Sequence, residues 1–221
     1  MIADMSKRGG SDEDRRARGE RTRGDLVDAG RALFVDPGYF RTSITDIVDR
    51  SGVGTRGAFY HHFGDKADLF RAVFEEVEQD LTLRSIAQPP EGADSWERLA
   101  RGLHDFLDAA LEPEVQRIIL IDGPVVLGWR ALRSIEERNS IAMIEDIVRR
   151  AITDETIDEQ PVTELTHMLV AAVEEGSLLV AHSPTPDRAR EAAGRVLDRI
   201  LGNLAPVGHR ARRRPTSVRK R

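Results

Sequence analysis

The side chains best suited to chemistry cluster within residues 43–63, and their chemistry suits contact with a nucleic acid. The guanidinium of Arg56 matches the acceptor edge of guanine or a phosphate oxygen, and the Ala58 methyl matches a thymine methyl. Gly57 carries no side chain, so the backbone can approach another surface closely at that position. These residue types predict a surface that reads the major groove of DNA.

Two short helices must position these side chains. Apolar residues recur at i, i+3 and i+4 from Ile44, a pattern typical of one helical face, which predicts a first helix over about 44–50. Ser43 and Thr45 are residue types that cap helix starts. The sequence Gly-Val-Gly at 52–54 predicts a turn, because glycine readily adopts positive φ. The layout is that of a helix-turn-helix.

A second helix, capped by Thr55, carries the candidate reading face. Phe59 and Phe63 are four residues apart and fall on one face, which we expect to be packed. The opposite face comprises Gly57, Ala58, Tyr60 and His61. Adjacent histidines at 61 and 62 point about 100° apart on a helix, so they do not favour a shared ion. No metal and no cofactor is predicted.

Phosphate contacts are expected where helices begin, because free N–H groups and the positive end of the helix dipole favour anionic oxygens there. The residues at such positions are Thr42, Ser43 and Lys66. They would position the protein on DNA rather than read sequence. For two of the predicted DNA contacts a non-functional alternative remains. Tyr60 would then be a half-buried aromatic with a solvated hydroxyl, and Lys66 a solvated charge.

Residues 22–77 resemble the TetR family of bacterial transcriptional regulators. The resemblance is carried by VDAGRALFVDPGYFRTSITDIVDRSGV and by TRGAFYHHFGDKADLFRAV. It implies that the recognition helix contacts DNA through Thr55, Arg56, Gly57, Ala58, Tyr60 and His61, with Thr42, Ser43 and Lys66 on the DNA backbone. The chain departs from the family in one place, because the turn GVGTRG carries an extra residue, most simply Gly54.

An all-helical enzyme is the rival interpretation, with His104 or His167 as its acid–base group. The chain has no paired motif at metal or nucleophile spacing, no glycine loop that cradles phosphate, and no cysteine. We therefore predict no enzymatic activity. The absence of cysteine, of an apolar run near 18 residues and of a signal-peptide pattern leads us to expect a cytoplasmic protein.

Charge is distributed unevenly along the 221 residues. Residues 1–66 carry 12 basic and 11 acidic side chains, residues 67–204 carry 14 and 27, and residues 205–221 carry 7 and none. An acidic carboxyl-terminal body would repel phosphate and so favour DNA at the amino-terminal domain, although an ordinary solvated surface explains the same charges.

These patterns predict an all-α protein of about nine helices, in four segments. Residues 1–21 are expected to form a disordered arm, residues 22–81 the DNA-binding domain, residues 82–204 a ligand-binding and dimerisation domain, and residues 205–221 a basic disordered tail. The arm is either inert or touches DNA through Arg15, Arg16, Arg18 and Arg21. The tail either adds non-specific phosphate affinity or is simply solvated.

The carboxyl-terminal domain is expected to contain further helices, ending in two with dense aliphatic stripes at about 161–182 and 186–203. A long helix precedes them at 127–152, after the break at 122–124. Either the stripes close the core of one chain or, as the family resemblance implies, they pair with a second copy. The predicted interface residues are Leu165, Leu169, Val173, Ala189, Ala193, Val196, Leu197 and Ile200.

A small-molecule cavity in the carboxyl-terminal domain is also implied by the resemblance. Candidate lining residues are Phe106, Trp129, Met143 and Met168, and candidate polar contacts are His104, Arg117, Asp122 and His167. The alternative is that these residues are plain core or surface. The string RIILIDGPVVLGWRALRSIEERN resembles a carboxyl-terminal subgroup of the family through Asp122, Pro124, Leu127, Gly128 and Trp129, which indicates a subfamily and no particular effector.

Together these observations predict a homodimeric repressor that occupies a palindromic operator and is released by a small-molecule effector. The alternative is a dimeric DNA-binding factor that responds to no ligand. Operator binding that is insensitive to effectors would favour the alternative.

Overall fold

The computed structural model describes residues 5–87 and 92–204, and this part of the chain contains helices and no strand. The all-α prediction is confirmed, with ten α-helices in the described residues where about nine were expected. They are α1 (Met5–Leu33), α2 (Ile44–Ser51), α3 (Arg56–His62), α4 (Lys66–Ala87), α5 (Ser95–Ala109), α6 (Gly123–Leu127), α7 (Trp129–Glu136), α8 (Ala142–Thr153), α9 (Val162–Ala181) and α10 (Pro186–Leu204). The predicted tail at 205–221 lies outside the described residues.

Helix α1 is longer than expected. Residues 5–21 continue the same helix, so the prediction of a disordered arm is wrong for them. This stretch has no apolar stripe, but it places opposite charges four residues apart, as in Asp14 with Arg18 and Arg16 with Glu20. Such pairs stabilise a helix by a few tenths of a kcal/mol each without any buried face. A prediction based on the spacing of apolar residues cannot detect a helix of this kind.

The chain divides into two compact units. Of the described residues, 5–77 and 117–128 form the amino-terminal unit, and 78–87, 92–116 and 129–204 form the carboxyl-terminal unit. Helix α4 contributes to both, because the division falls at Val77. The sequence-based boundary at 81/82 therefore missed a segment, since residues 117–128 pack with the amino-terminal unit despite their place in the chain.

The core of the amino-terminal unit is built from the apolar faces of α1 to α4. Ile47 of α2 and Phe59 of α3 are fully buried, as their spacing predicted. Phe70 of α4 lies at the centre, with its ring centroid 5.3 Å from Phe34 and 5.1 Å from Tyr39. Tilted and edge-on pairs at these distances add about 0.5–1.5 kcal/mol each beyond burial. They fix α4 against the segment that leads into α2.

The core of the carboxyl-terminal unit is formed by α5, α8, α9 and α10. Its buried members are Trp96, Leu99, Leu103, Leu107, Val148, Ala151, Ile157, Leu169, Val173, Leu197 and Leu201. The predicted long helix is present from Trp129 to Thr153, with a π-helical turn at Glu137–Ile141. Gly128, at φ 74°, separates it from α6. Within the described residues no helix is both long enough and apolar enough to cross a membrane.

Candidate nucleic-acid interface

Side-chain caps define the two short helices of the motif. Ser43 Oγ accepts a hydrogen bond from the Asp46 amide at 3.2 Å, and the Asp46 carboxylate accepts one from the Ser43 amide at 2.8 Å. This reciprocal box uses two amides that the first turn of α2 leaves unpaired. The hydrogen bond from the Ser43 backbone, and then that with its side chain, lower the pKa of Asp46. At α3, Thr55 Oγ1 accepts from the Ala58 amide at 3.2 Å.

The extra residue in the turn is accommodated before α3 begins. Gly54 adopts φ 86° and Gly52 adopts φ 71°, and a Cβ at either position would meet nothing within 4 Å. Steric room is thus available at both, and the positive φ is what requires glycine. Because Thr55 still caps α3, the insertion lengthens the turn and leaves the helix start intact.

Three of the four residues predicted for the outward face of α3 are exposed, and the fourth, Ala58, is partly buried. Phe59 and Phe63 are buried, whereas Gly57, His61 and Tyr60 are exposed, with 55% of Tyr60 accessible. The Tyr60 ring contacts Phe59 edge-on with centroids 5.4 Å apart. This contact holds the ring of Tyr60 in place while its hydroxyl projects outward.

Arg56 lies at the start of α3, and its guanidinium donates to Thr45 Oγ1 of α2. This bond was not predicted from the sequence. It orients the arginine across the turn and connects the two helices of the motif.

Thr42 does not have the predicted role. Only 2% of it is exposed, and its hydroxyl donates toward the carbonyl oxygens of Gly38 at 2.9 Å and Leu33 at 3.1 Å. A phosphate cannot reach a hydroxyl that is enclosed and already bonded, so the prediction of a side-chain contact from Thr42 to the DNA backbone is wrong. The residue instead closes the segment between α1 and α2.

Lys66 is tied to the same segment. Its Nζ donates to the carbonyl oxygens of Tyr39 and Thr42, both at 2.8 Å, and lies 4.1 Å from the centre of the Tyr39 ring. Burial lowers the pKa of the Lys66 ammonium. An ammonium has three donors, and these bonds use two. A phosphate contact from Lys66, like that from Ser43, stays a prediction, as does the DNA contact expected from Thr55 as part of the recognition helix.

Asp122 joins the 117–128 segment to this region. It is 2% exposed, and its Oδ2 accepts from the Tyr39 amide at 3.3 Å and from Arg117 Nε at 3.0 Å. The Arg117 guanidinium also covers Gly38, where an added Cβ would overlap it. Both residues were predicted as ligand contacts of the carboxyl-terminal domain. That prediction is wrong in its location, because both lie in the amino-terminal unit.

The other predicted ligand residues lie in the carboxyl-terminal unit but do not share one environment. Met168 and Trp129 are 72% and 68% exposed, which contradicts their role as cavity lining within one chain. His104 Nε2 lies 2.8 Å from a carboxylate oxygen of Asp198. Phe106, Met143 and His167 are partly buried. For these last four residues, ligand contact stays a prediction.

A partly buried charged cluster in the carboxyl-terminal unit was missed by the sequence analysis. Arg133 donates to Glu136 at 3.1 Å within α7, and its guanidinium lies 5.2 Å from the centre of the Trp129 ring. On α9, burial, and then Glu136, raise the pKa of Glu174 to about 7, while Arg133 acts in the opposite direction. The cluster brings two carboxyl groups to a single arginine.

The predicted dimer residues are divided by the structure. Leu169, Val173 and Leu197 lie in the core of their own chain, so their assignment to an interface is wrong. Leu165, Ala189 and Ala193 are partly buried. Val196 and Ile200 on α10, the other two predicted interface residues, are exposed. Met168 and Leu179 on α9, which were not assigned to the interface, are exposed as well.

Comparison with known proteins gives matches along most of the chain. The family model described as "Bacterial regulatory proteins, tetR family" matches residues 26–73, and a "Tetracyclin repressor-like, C-terminal domain" model matches residues 96–204. The regulator CymR of Pseudomonas putida is 30% identical over 140 residues, which is 60% of this chain and 68% of CymR. AcrR of Shigella flexneri is 38% identical over 46% of this chain and 47% of its own.

The TetC protein of transposon Tn10 from Escherichia coli is 28% identical over 58% of this chain, and the match spans 64% of TetC, slightly under two thirds of its length. Among solved structures, a TetR-family regulator of Pectobacterium atrosepticum matches 86% of this chain and 97% of its own, with a TM-score of 0.77 and 29% identity. RolR, solved with resorcinol, matches the fold with a TM-score of 0.65 at 17% identity, over 86% and 97% of the two chains. The chain belongs to the TetR family of bacterial regulatory proteins.

Proposed function

We propose that this protein is a homodimeric transcriptional repressor that reads a palindromic operator through α3 and releases it on binding a small-molecule effector. The observation that carries DNA binding is the exposed face of α3, where Gly57, Tyr60 and His61 lie outside buried Phe59 on a helix that Thr55 caps. A short helix held in this way fits the major groove with its side chains toward the base edges.

Dimer formation is supported by the unpartnered apolar surface of the last two helices. Met168 and Leu179 project from α9, and Val196 and Ile200 project from α10, each at least 39% exposed. Burying such side chains is worth about 1.5–3 kcal/mol apiece when it is complete. A second copy related by two-fold symmetry would cover them and would present two α3 helices about one DNA turn apart, roughly 34–36 Å.

Coupling between regulation and DNA reading is supported by the 117–128 segment. Its chain neighbours on both sides belong to the carboxyl-terminal unit, while its own residues pack in the amino-terminal unit. Gly123 allows a close approach to α4, because a Cβ there would lie 2.7 Å from the Phe74 ring. A change of helix arrangement in the carboxyl-terminal unit would therefore pull on Asp122 and on the Tyr39 backbone that it holds.

An effector site in the carboxyl-terminal unit is supported by poorly satisfied polar groups on α9. The hydroxyls of Thr166 and Ser177 are fully buried and make no hydrogen bond within the described part of the chain. Glu174 lies on the same helix with a carboxyl whose pKa burial raises to about 7. Buried polar groups normally have partners, and a bound ligand with hydrogen-bonding groups would supply them. The effector would release DNA by preferring a helix arrangement with a different α3 spacing.

Substitution of Tyr60 tests the reading face. Tyr60→Ala removes an exposed ring of α3, and we expect operator affinity to fall about tenfold, since a good base contact is worth about 1–3 kcal/mol. Phe40→Ala is the matched control, because Phe40 is a similarly exposed aromatic of the same unit that lies outside α3. Both variants should remain folded dimers by circular dichroism and sedimentation. An unchanged affinity for Tyr60→Ala would locate the reading face elsewhere.

A further inference from the structure

The beginning of α1 and the end of α3 together form a cleft of about 620 Å³. Its lining residues are Arg15, Arg16, Gly19, Glu20, Arg23, His61 and His62. Apart from His61, none of these residues belongs to the reading face proposed above. The residues come from parts of the chain about 40 positions apart, so only the fold reveals that they share a site.

The cleft is electropositive. It is lined by three arginines, against a single carboxylate from Glu20, and by two histidines. Burial, followed by the charges of His61 and Arg23, lowers the pKa of His62. Because the cleft is lined by more basic than acidic side chains, its field favours an anion over a cation.

The walls of the cleft are held in place by packing. The Arg23 guanidinium lies 5.4 Å from the centre of the buried Phe63 ring, and the His61 and His62 rings meet edge-on at 5.0 Å. Gly19 faces His62, where even an added Cβ would be 3.9 Å from Cε1. A side chain as small as alanine would therefore fit at this position, so there is open space between α1 and the end of α3 among the basic side chains.

The position of the cleft beside the exposed face of α3 indicates which anion it would bind. His61 lies on the exposed face of α3, one turn beyond Gly57, and also lines the cleft. The major groove is about 12 Å wide, so a helix of 10–12 Å diameter that enters it brings its flanks against the sugar-phosphate strands. Arginine is the side chain best suited to phosphate oxygens, because its planar fork donates two parallel hydrogen bonds.

We propose that this cleft binds a backbone phosphate of the operator through Arg16, Arg23 and His62, so that the extended α1 clamps DNA beside the recognition helix. The proposal rests on the proposed DNA-binding function and adds to it a contact outside the helix-turn-helix. Because a phosphate carries no sequence information, the contact contributes affinity and register rather than base preference.

The test compares arginines on two faces of the same helix. Arg16→Ala/Arg23→Ala removes two cleft donors, and Arg18→Ala/Arg21→Ala removes the same charge from positions of α1 that do not line the cleft. Binding of a fluorescent operator duplex and of an unrelated duplex is measured by anisotropy between about 50 and 200 mM salt. Each phosphate contact contributes about 0.9 to the slope of log K against log salt on B-form DNA.

For the cleft variant we expect a slope shallower by about 0.9, the contribution of one phosphate contact, and a roughly tenfold weaker affinity on both duplexes, with the ratio between the two affinities kept. The Arg18/Arg21 variant should change the slope less. Equal effects in the two variants would show that only the total positive charge of α1 matters, and this result would overturn the proposal. Arg16→Gln alone, which leaves Arg23 on Phe63, repeats the test if the double variant unfolds.

Two further results separate this proposal from its foundation. If the wild-type protein prefers no operator, the proposed function is refuted. The difference in salt slope between the wild type and the cleft variant on unrelated DNA would still show whether the cleft contacts a phosphate. If inorganic phosphate shifts the His62 resonance in NMR spectra while the cleft variant binds both duplexes as the wild type does, the cleft holds a free anion and the DNA clamp is refuted.

Discussion

Replacement of Glu174 by glutamine should stabilise the protein at alkaline pH. In the native state burial and the nearby Glu136 raise the pKa of the Glu174 carboxyl to about 7, from an ordinary value of 4.5. The folded protein therefore retains a proton that the unfolded chain has released. Stability contributed by this proton is full below about pH 4.5 and is lost as the pH rises through about 7, since stability falls wherever the native state binds more protons.

The size of the effect follows from the shift. One pKa unit corresponds to 1.36 kcal/mol, so ionised Glu174 destabilises the fold above pH 7 by about 3 kcal/mol at most. Partial exposure of the side chain reduces this toward about 2 kcal/mol. Glutamine has nearly the same shape and carries no charge. Glu174→Gln should thus gain about 2–3 kcal/mol over the wild type at pH 8 and almost nothing at pH 4.5.

Urea unfolding followed by circular dichroism, at fixed protein concentration and at several pH values between 4.5 and 8, measures this difference. Glu175→Gln is the matched control, because Glu175 is the adjacent carboxylate on the exposed side of α9. It should leave the pH dependence unchanged. If Glu174→Gln gains no stability at pH 8, or if its pH profile coincides with that of Glu175→Gln, burial does not hold a proton on Glu174 and the reasoning fails.

Two further substitutions test the dimer face and the coupling segment. Val196→Glu inserts a charge into the exposed apolar surface of α10, and sedimentation velocity should then show a monomer in place of the dimer. The neighbouring control Arg195→Glu should remain a dimer. If Val196→Glu also remains a dimer, this surface is not the dimer interface. Asp122→Asn replaces the buried carboxylate that accepts hydrogen bonds from the Tyr39 amide and from Arg117. Because hydrogen bonds to charged groups are worth about 1.5–3 kcal/mol, the substitution should lower the free energy of unfolding by about that amount. It should also weaken operator binding. Unchanged values in urea unfolding and operator titration would show that Asp122 does not hold the reading unit.

The helix-turn-helix could be predicted from the sequence because its determinants are local. Ser43 and Thr55 are helix-capping residue types, and each accepts a hydrogen bond from the amide three residues further on, that of Asp46 and that of Ala58. The packed face of α3 was equally predictable from the four-residue spacing of Phe59 and Phe63. Nothing beyond one helical turn was needed for these features.

The dimer face was harder to predict because α9 is apolar on more than one side. Leu169 and Val173 were chosen for the interface and lie in the core, while Met168 was chosen as a ligand contact and is 72% exposed. Neighbouring positions on a helix differ by about 100°, so a broad apolar stripe does not distinguish the side facing its own core from the side facing solvent. Only the packing partners of α9 decide it.

Long-range contacts escaped prediction for a different reason. Asp122 binds the Tyr39 amide 83 positions away, and the partners of Arg117 and Gly38 are similarly distant. No local pattern encodes such pairs. Thr42 was misread in the same way, because its type suits a helix start while its enclosure by Leu33 and Gly38 depends on how the preceding segment folds back.

The most direct test of the central claim, that α3 reads an operator, is selection of random duplexes on the purified protein, followed by footprinting of the enriched sequence at a stated salt concentration. Salt must be fixed because phosphate contacts make affinity steeply salt-dependent. The account predicts a two-fold symmetric site whose protected half-sites lie about one turn apart, roughly 34–36 Å. No enrichment above non-specific binding would contradict a sequence-reading role for α3.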